Sequence, residues 1–417
     1  MTARIILLKT LRDLRKSLAQ SVALVLIVAL GIACFTALVG AYRDLGTSYN
    51  HTYDRLHFAN VTFAVASAPQ GVVADIAAID GVSAVSGRLI LDTGFVLPAD
   101  AARNAGTPIR ARLIGIPSDR HPAVDDVLIR DGRYFAPDDK LVALVESHFA
   151  DVYQLGPGDT VSPILNDQSL PIPVVGIAAS PEYLLVSPSK QEIMPSPSTF
   201  AVLFVPLDAL QEQVGAAGSI NNVAVEIAPH ANANTVIQAI QNTLKPYTLE
   251  STTRRADQPS NAALQLDLSG YKTISTMMPA LILLVAAVSV YAMLERQVRA
   301  QRQQIGLMKA LGYSNGTVTE HYLAFALVIA LIGSALGILA GIPLEHSITQ
   351  SYANELGIPL VKTRFYADLA GAGVLLSIGV AALAGIIPSW QSAHIEPAQA
   401  MRFNPSSALV SGGRSIV

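Results

Sequence analysis

Four uncharged apolar runs divide the chain, at 21–42, 273–294, 321–344 and 369–390. A membrane helix needs ~20 apolar residues to cross a ~30 Å hydrocarbon core at ~1.5 Å per residue, so each run predicts one transmembrane helix. The pattern changes in 43–272. There short β-branched runs (61–66, 89–97, 109–116, 141–145 and 173–177) alternate with the turn signals Asp80-Gly81, Asp131-Gly132 and Gly156-Pro157-Gly158. Residues 72–79 and 232–244 have helical periodicity, the second following the strand-like 222–227. The expected fold is an integral membrane α-helical protein with four transmembrane helices and a large α+β extracytoplasmic domain inserted between helices 1 and 2.

Charge orients the spans. Arg4, Lys9, Arg12, Arg15 and Lys16 fall mostly between Ile5, Ile6, Leu8, Leu11, Leu14 and Leu18, which predicts an amphipathic cytoplasmic helix over 1–20. The loop 295–320 carries Arg296, Arg299, Arg302 and Lys309. The positive-inside rule puts both segments in the cytoplasm, 43–272 and the loop 345–368 outside, and the tail 391–417 inside again. The first run exceeds the ~7–15 apolar residues of a signal peptide and reads as an uncleaved anchor.

Three stretches carry further expectations. Residues 251–272 turn from polar to amphipathic at Leu264, Leu266, Leu268 and Tyr271, and read as a stalk that extends the second span outward. Pro181, Pro188, Pro195 and Pro197 mark 180–204 as an ordered, exposed loop. Gly333, Gly337 and Gly341 share one face of the third span and predict close packing against another helix.

Composition narrows the chemistry. Charged residues make up 14 % of the chain, against ~25 % in soluble proteins, and the deficit falls in the four runs. No basic tract suggests nucleic acid. Cys34 is the single cysteine and lies inside an apolar run, so neither a disulfide framework nor a cysteine metal site is expected. No Gly-Lys-Ser/Thr phosphate loop, His-Glu-x-x-His or Gly-x-Ser-x-Gly occurs. Asp125-Asp126 and Asp138-Asp139 read as solvated surface pairs. The spans hold no Asp, Glu, Lys or Arg that an ion-coupled transporter would keep at membrane depth. A non-catalytic chain that binds no cofactor or metal is expected, with energy supplied by a partner.

Gln304-Ile-Gly-Leu-Met-Lys-Ala-Leu-Gly-Tyr-Ser314 resembles the Glu-Ile-Gly-hydrophobic-hydrophobic-(Lys/Arg)-Ala-(Leu/Ile)-Gly-Ala-Ser signature of the FtsX-like permeases of ABC transporters. Gln304 and Tyr313 stand where that family commonly has Glu and Ala. Ile395-Glu-Pro-Ala-Gln-Ala-Met-Arg402 resembles the family's closing motif, and 141–150, Gly158-Asp159 and 174–177 resemble pieces of the periplasmic domain of MacB-type proteins. The resemblance implies a permease in a bacterial inner membrane that works as a homodimer or a heterodimer with a related permease. It implies a separate ATPase subunit holding ATP and Mg, since the first span begins near Ser21 where MacB has a fused ATPase domain. An outer adaptor joins where the cell has an outer membrane. Ile305, Gly306, Lys309, Leu311 and Gly312 then correspond to the ATPase-coupling loop: apolar burial for Ile305 and Leu311, charge complementarity for Lys309, a tight turn at Gly312.

Three functions remain open at this point. The chain exports or extracts a lipid, lipoprotein, peptide or amphiphilic drug; or it is an FtsX-like mechanotransducer that regulates a cell-wall hydrolase; or it is a membrane-anchored sensor. Against the shorter outer domain of division-type FtsX proteins, the resemblance implies that the length of 43–272 favours transport over regulation. The short inner segments leave no room for a signalling domain.

Overall fold

The computed structural model describes residues 17–96, 108–186 and 197–393, together with 12 and 15. The expected N-terminal amphipathic helix and the closing motif at 395–402 lie almost wholly outside the described residues. The chain forms two compact units. One comprises Met1–Arg43, Tyr271–Thr349 and Thr363–Val417, and the other Asp44–Gly270 and Gln350–Lys362.

Among the described residues, four helices are long and apolar enough to span a membrane: α1 (Leu18–Arg55), α6 (Pro259–Ala300), α8 (Asn315–Glu355) and α9 (Ala367–Ala393). Inside the first unit, Leu24, Val28, Ile32, Leu283, Val290, Leu294, Phe325 and Ile329 pack together. Leu26, Leu30, Leu284, Val288, Leu339, Leu375 and Leu383 face outward. Only 28–39 % of each apolar window is buried, and helices that are apolar all round but buried on one side require lipid as their solvent. This is a multi-pass membrane protein.

The helices outrun the apolar runs. α1 continues to Arg55, α6 starts at Pro259, and α8 reaches Glu355. Two expectations change as a result. The stalk read over 251–272 is helix only from Pro259, because Leu249–Arg254 is an edge strand paired with Val61–Pro69. The segment 345–368, expected as an outer loop, is helical through Glu355, and its Glu345 is buried against Gly40.

The second unit is built on an eleven-stranded mixed sheet. Its strands are β1 (Val61–Pro69), β2 (Val82–Val96), β3 (Pro108–Ile116), β4 (Leu128–Gly132), β5 (Ala143–Glu146), β6 (Thr160–Leu165), β7 (Gln168–Ser169), β8 (Ile172–Ala179), β9 (Phe200–Pro206), β10 (Ser219–Ile227) and β11 (Leu249–Arg254). The order is β11-β1-β10-β2-β3-β9-β5-β8-β6-β7, with β4 on β8. β3–β9 and β5–β8 are parallel and the other pairs antiparallel. Helices α2 (Val72–Ala77), α3 (Ser147–Tyr153), α4 (Leu207–Gln213) and α5 (Ala233–Leu244) complete it.

Strand periodicity explains its two cores. In β9, Ala201, Leu203 and Val205 point into one core with Val72, Ile76 and Ile240, while Phe200, Val202 and Phe204 point into another with Ile114, Tyr183 and Val186. This overturns the exposed-loop reading of 180–204 at both ends. Pro181–Tyr183 is a buried 3-10 turn, and β9 is buried at every residue. A strand covered on both faces is apolar throughout and gives no alternation to read. Residues 187–196 lie outside the described residues.

Candidate functional site

The segment between α6 and α8 folds as a short helix with a defined exit. α7 (Arg302–Ala310) ends where the Gly312 amide donates to the Lys309 carbonyl at 3.0 Å and the Tyr313 amide donates to Met308 at 3.1 Å. This is a Schellman closure, and Gly312 takes the left-handed φ of +90° that it requires. Ser314 Oγ then accepts from the Thr317 amide at 3.3 Å and caps α8. At the other end, the Tyr322 hydroxyl donates to Gln301 Oε1 at 2.9 Å.

The residues expected to dock a partner separate into two groups. Ile305, 1 % exposed, packs inside its own chain in the cluster that holds Val318 and Tyr322, and Gly306 beside it is buried. Ile305 therefore anchors α7 to the rest of the membrane unit. Leu311 is 71 % exposed, and Leu307 one helical turn earlier and Tyr313 just past the closure extend that exposed apolar edge. Leu307 lies at i, i+4 spacing from Leu311, which places the two on one helix face. Lys309 is half-buried, and Arg299 pairs with Glu295 on α6.

The glycine face of α8 meets α1 of the same chain. A Cβ on Gly333 would lie 2.7 Å from Val28 Cγ1, one on Gly337 2.7 Å from the Ala29 carbonyl oxygen, and one on Gly341 against Thr36 Oγ1. The missing side chains let the two backbones touch.

In the sheet unit the reading of Asp125 is overturned: it is buried, not solvated. Arg88 on β2 donates to both oxygens of Glu182, at 2.5 and 3.2 Å, and lies 3.1 Å from Asp125. Asn222 Oδ1 accepts from Arg88 Nε and Nη2 at 3.1 and 2.8 Å. Burial disfavours the guanidinium charge, yet Glu182 and Asp125 hold its pKa above the ordinary value. Burial and the Glu182 carboxylate push Asp125 up against the pull of Arg88. Neighbours in sequence could not reveal this cluster, since its members come from four distant segments.

The cluster ties together the ends of two long helices. Asp125 Oδ1 accepts from the Ala59 amide at 2.8 Å, just past α1. Arg255 donates to the Ala59 and Phe58 carbonyls and covers the Phe58 ring. At the start of α6, Gln258 Nε2 donates to the Glu182 carbonyl at 2.7 Å, Ser260 Oγ accepts from the Leu185 amide at 2.9 Å, and Asn261 accepts from the Tyr53 hydroxyl at 3.1 Å. One guanidinium between two carboxylates fixes geometry more than it adds stability. Among the described residues, no three His, Cys, Asp or Glu side chains converge as metal ligands.

Comparison with known proteins adds the lineage. A family model described as MacB-like periplasmic core domain matches 21–243, and one described as FtsX-like permease C-terminal matches 276–397. The macrolide export ATP-binding/permease protein MacB of Neisseria gonorrhoeae is 19 % identical over 337 residues, 75 % of this chain and 48 % of that protein. MacB of Syntrophobacter fumaroxidans is 24 % identical over 44 % of this chain and 26 % of its own length. The lipoprotein-releasing system transmembrane protein LolC of Xylella fastidiosa is 24 % identical over 38 % of this chain and 40 % of its own. The chain thus spans less than half the length of these curated relatives. Among solved structures, the periplasmic region of MacB from Actinobacillus actinomycetemcomitans aligns at 13 % identity and a TM-score of 0.33, over 53 % of this chain and 97 % of that one.

Proposed function

This chain belongs to the FtsX-like permeases that carry a MacB-like periplasmic core domain, and we propose that it is the membrane subunit of an ABC transporter, passing the ATP-driven motion of a separate ATPase to its extracytoplasmic domain. The observation that carries this reading is the continuity of α1 and α6. Their 38 and 42 residues make rods of about 57 and 63 Å, roughly twice a ~30 Å hydrocarbon core. Their far ends are joined through the Arg88 network, so a push on one helix is shared with the other and with β2.

The inner end of this path is the exposed edge of α7. Leu307, Leu311 and Tyr313 supply the apolar contact for the ATPase, Lys309 the complementary charge, and Gly312 the turn that fixes the angle into α8. Basic residues Arg296, Arg299 and Arg302 favour a cytoplasmic loop, which puts both termini inside and the sheet domain outside a bacterial inner membrane. The protein works as a dimer of permeases on two ATPase subunits that hold ATP and Mg. Relatives named for macrolide export and lipoprotein release suggest an amphiphilic substrate with a large apolar part. An outer adaptor completes the path in cells with an outer membrane.

Affinity purification of the tagged chain from membranes tests the reading. A stoichiometric ATPase whose binding is lost in Leu311→Asp supports it. A chain that purifies alone, with no ATP turnover at normal expression, refutes it.

A further inference from the structure

Residues Gln350–Lys362, the last turns of α8 and the start of its connection to α9, belong to the same compact unit as the sheet domain. Ala353, Leu356 and Ile358 pack with Leu45, Tyr49 and Tyr53 of α1 and Leu264 and Leu268 of α6. Ser48 Oγ accepts from the Lys362 amide at 2.9 Å, and the Tyr352 hydroxyl donates to Asp267. The connection is therefore gathered into the same bundle as the two rods.

One further contact fastens it to the sheet itself. His148, on α3, lies with Nδ1 2.7 Å from Glu146 Oε1 and Nε2 3.0 Å from the Leu356 carbonyl oxygen. Glu146 already accepts from the Ser147 hydroxyl and from the His148 and Phe149 amides, as an ionised carboxylate does. A carbonyl oxygen can only accept. Both ring nitrogens therefore face acceptors, and only the imidazolium donates to both. Gly357 makes room for the ring: its φ is +60°, and a Cβ there would run into His148 Nε2.

We propose that this connection is a third mechanical link between membrane helices and extracytoplasmic domain, clamped to the sheet by His148 as an imidazolium between Glu146 and the Leu356 carbonyl. The link deepens the transmission reading above and rests on it for its purpose, though not for its existence. The charged groups around the ring are Glu146, Asp151 on α3, and Arg130 on β4, which pairs with Asp151 at 3.3 Å; the connection itself presents the Leu356 carbonyl. Burial favours the neutral ring, but Glu146, the Leu356 carbonyl and Asp151 outweigh it, so the pKa stands above that of a free histidine. A raised histidine pKa means the clamp is fully present below the free value of ~6.5 and is lost as pH rises through the folded value.

Amide hydrogen exchange on the full chain in lipid nanodiscs, without ATPase, tests the clamp. With rates corrected for intrinsic pH dependence, protection of 350–362 should fall about tenfold between about pH 6 and 9, the effect of losing one charge-assisted hydrogen bond. His148→Gln, which can donate from one end only, should be poorly protected at both pH values, while β3 and β9 stay protected. Unchanged protection in the unaltered chain across that range, or normal protection in His148→Gln, overturns the proposal. If His148→Gln also loosens β3 and β9, Gly357→Ala replaces it: the ring is then displaced by the new methyl and the same local loss is expected, and normal protection there overturns the clamp. With the co-purified ATPase and a non-hydrolysable ATP analogue, exchange in 350–362 should respond in the unaltered chain and not in His148→Gln. An equal response overturns the link. Failure of the permease reading is a different result, namely that no ATPase co-purifies.

Discussion

Gly337 of α8 lies directly on Ala29 of α1, so close that a Cβ on the glycine would sit 2.7 Å from the Ala29 carbonyl oxygen. The obstacle is backbone, which cannot rotate aside as a side chain could. Gly337→Leu should therefore part the two helices and destabilise the membrane unit by about 1–3 kcal/mol, the range for overpacking. Thermal inactivation in detergent reads the effect. A chain with an unaltered midpoint and an intact α1–α8 cross-link would contradict the packing.

Arg88 neutralises two buried carboxylates at once. Arg88→Met leaves Asp125 and Glu182 facing each other without the guanidinium between them, and loss of one partner from a buried pair costs about 3–5 kcal/mol. A steep fall in the unfolding midpoint, by circular dichroism, is expected. Adding Asp125→Asn to Arg88→Met removes one of the stranded charges and should recover part of the loss. If the double variant is no better than the single one, the charges are not what holds the joint.

Ile305 and Leu311 stand in the same motif but should fail in different ways. Ile305→Asp places a charge in the chain's own core and should lower stability and yield. Leu311→Asp changes a residue 71 % exposed and should leave folding near normal while partner binding is lost. Size-exclusion profiles with ATPase co-purification separate the two. Equal expression and equal ATPase loss in both variants would argue against this division.

Glu146 sets the proton affinity of His148. Glu146→Gln removes the carboxylate that favours the imidazolium, so the folded pKa should fall and the protection of 350–362 should disappear at lower pH than in the unaltered chain. Nuclear magnetic resonance of labelled histidine follows the titration directly. A midpoint that stays put or moves upward would mean that another group governs the ring.

Much of the architecture was legible because lipid and β-sheet impose simple patterns. The four charge-free runs could only be membrane helices, and 61–66, 109–116 and 222–227 announced β1, β3 and β10. The misreadings have one cause in common. β9 is covered on both sides, and Asp125 is paired with Arg88 and Glu182 from distant segments. Each depends on a neighbour remote in sequence, which local pattern does not encode.

The number of spans and the separate folded module between the first two were readable along the chain. These follow from hydrophobic length, periodicity and local backbone preference, which are properties of contiguous residues. Folding settles which face of α7 is exposed, which helix fills the glycine groove of α8, and that Arg88 and His148 each hold together segments far apart in the chain. Those outcomes rest on burial and on the pairing of charges, and a side chain has neither until the fold brings its neighbours to it.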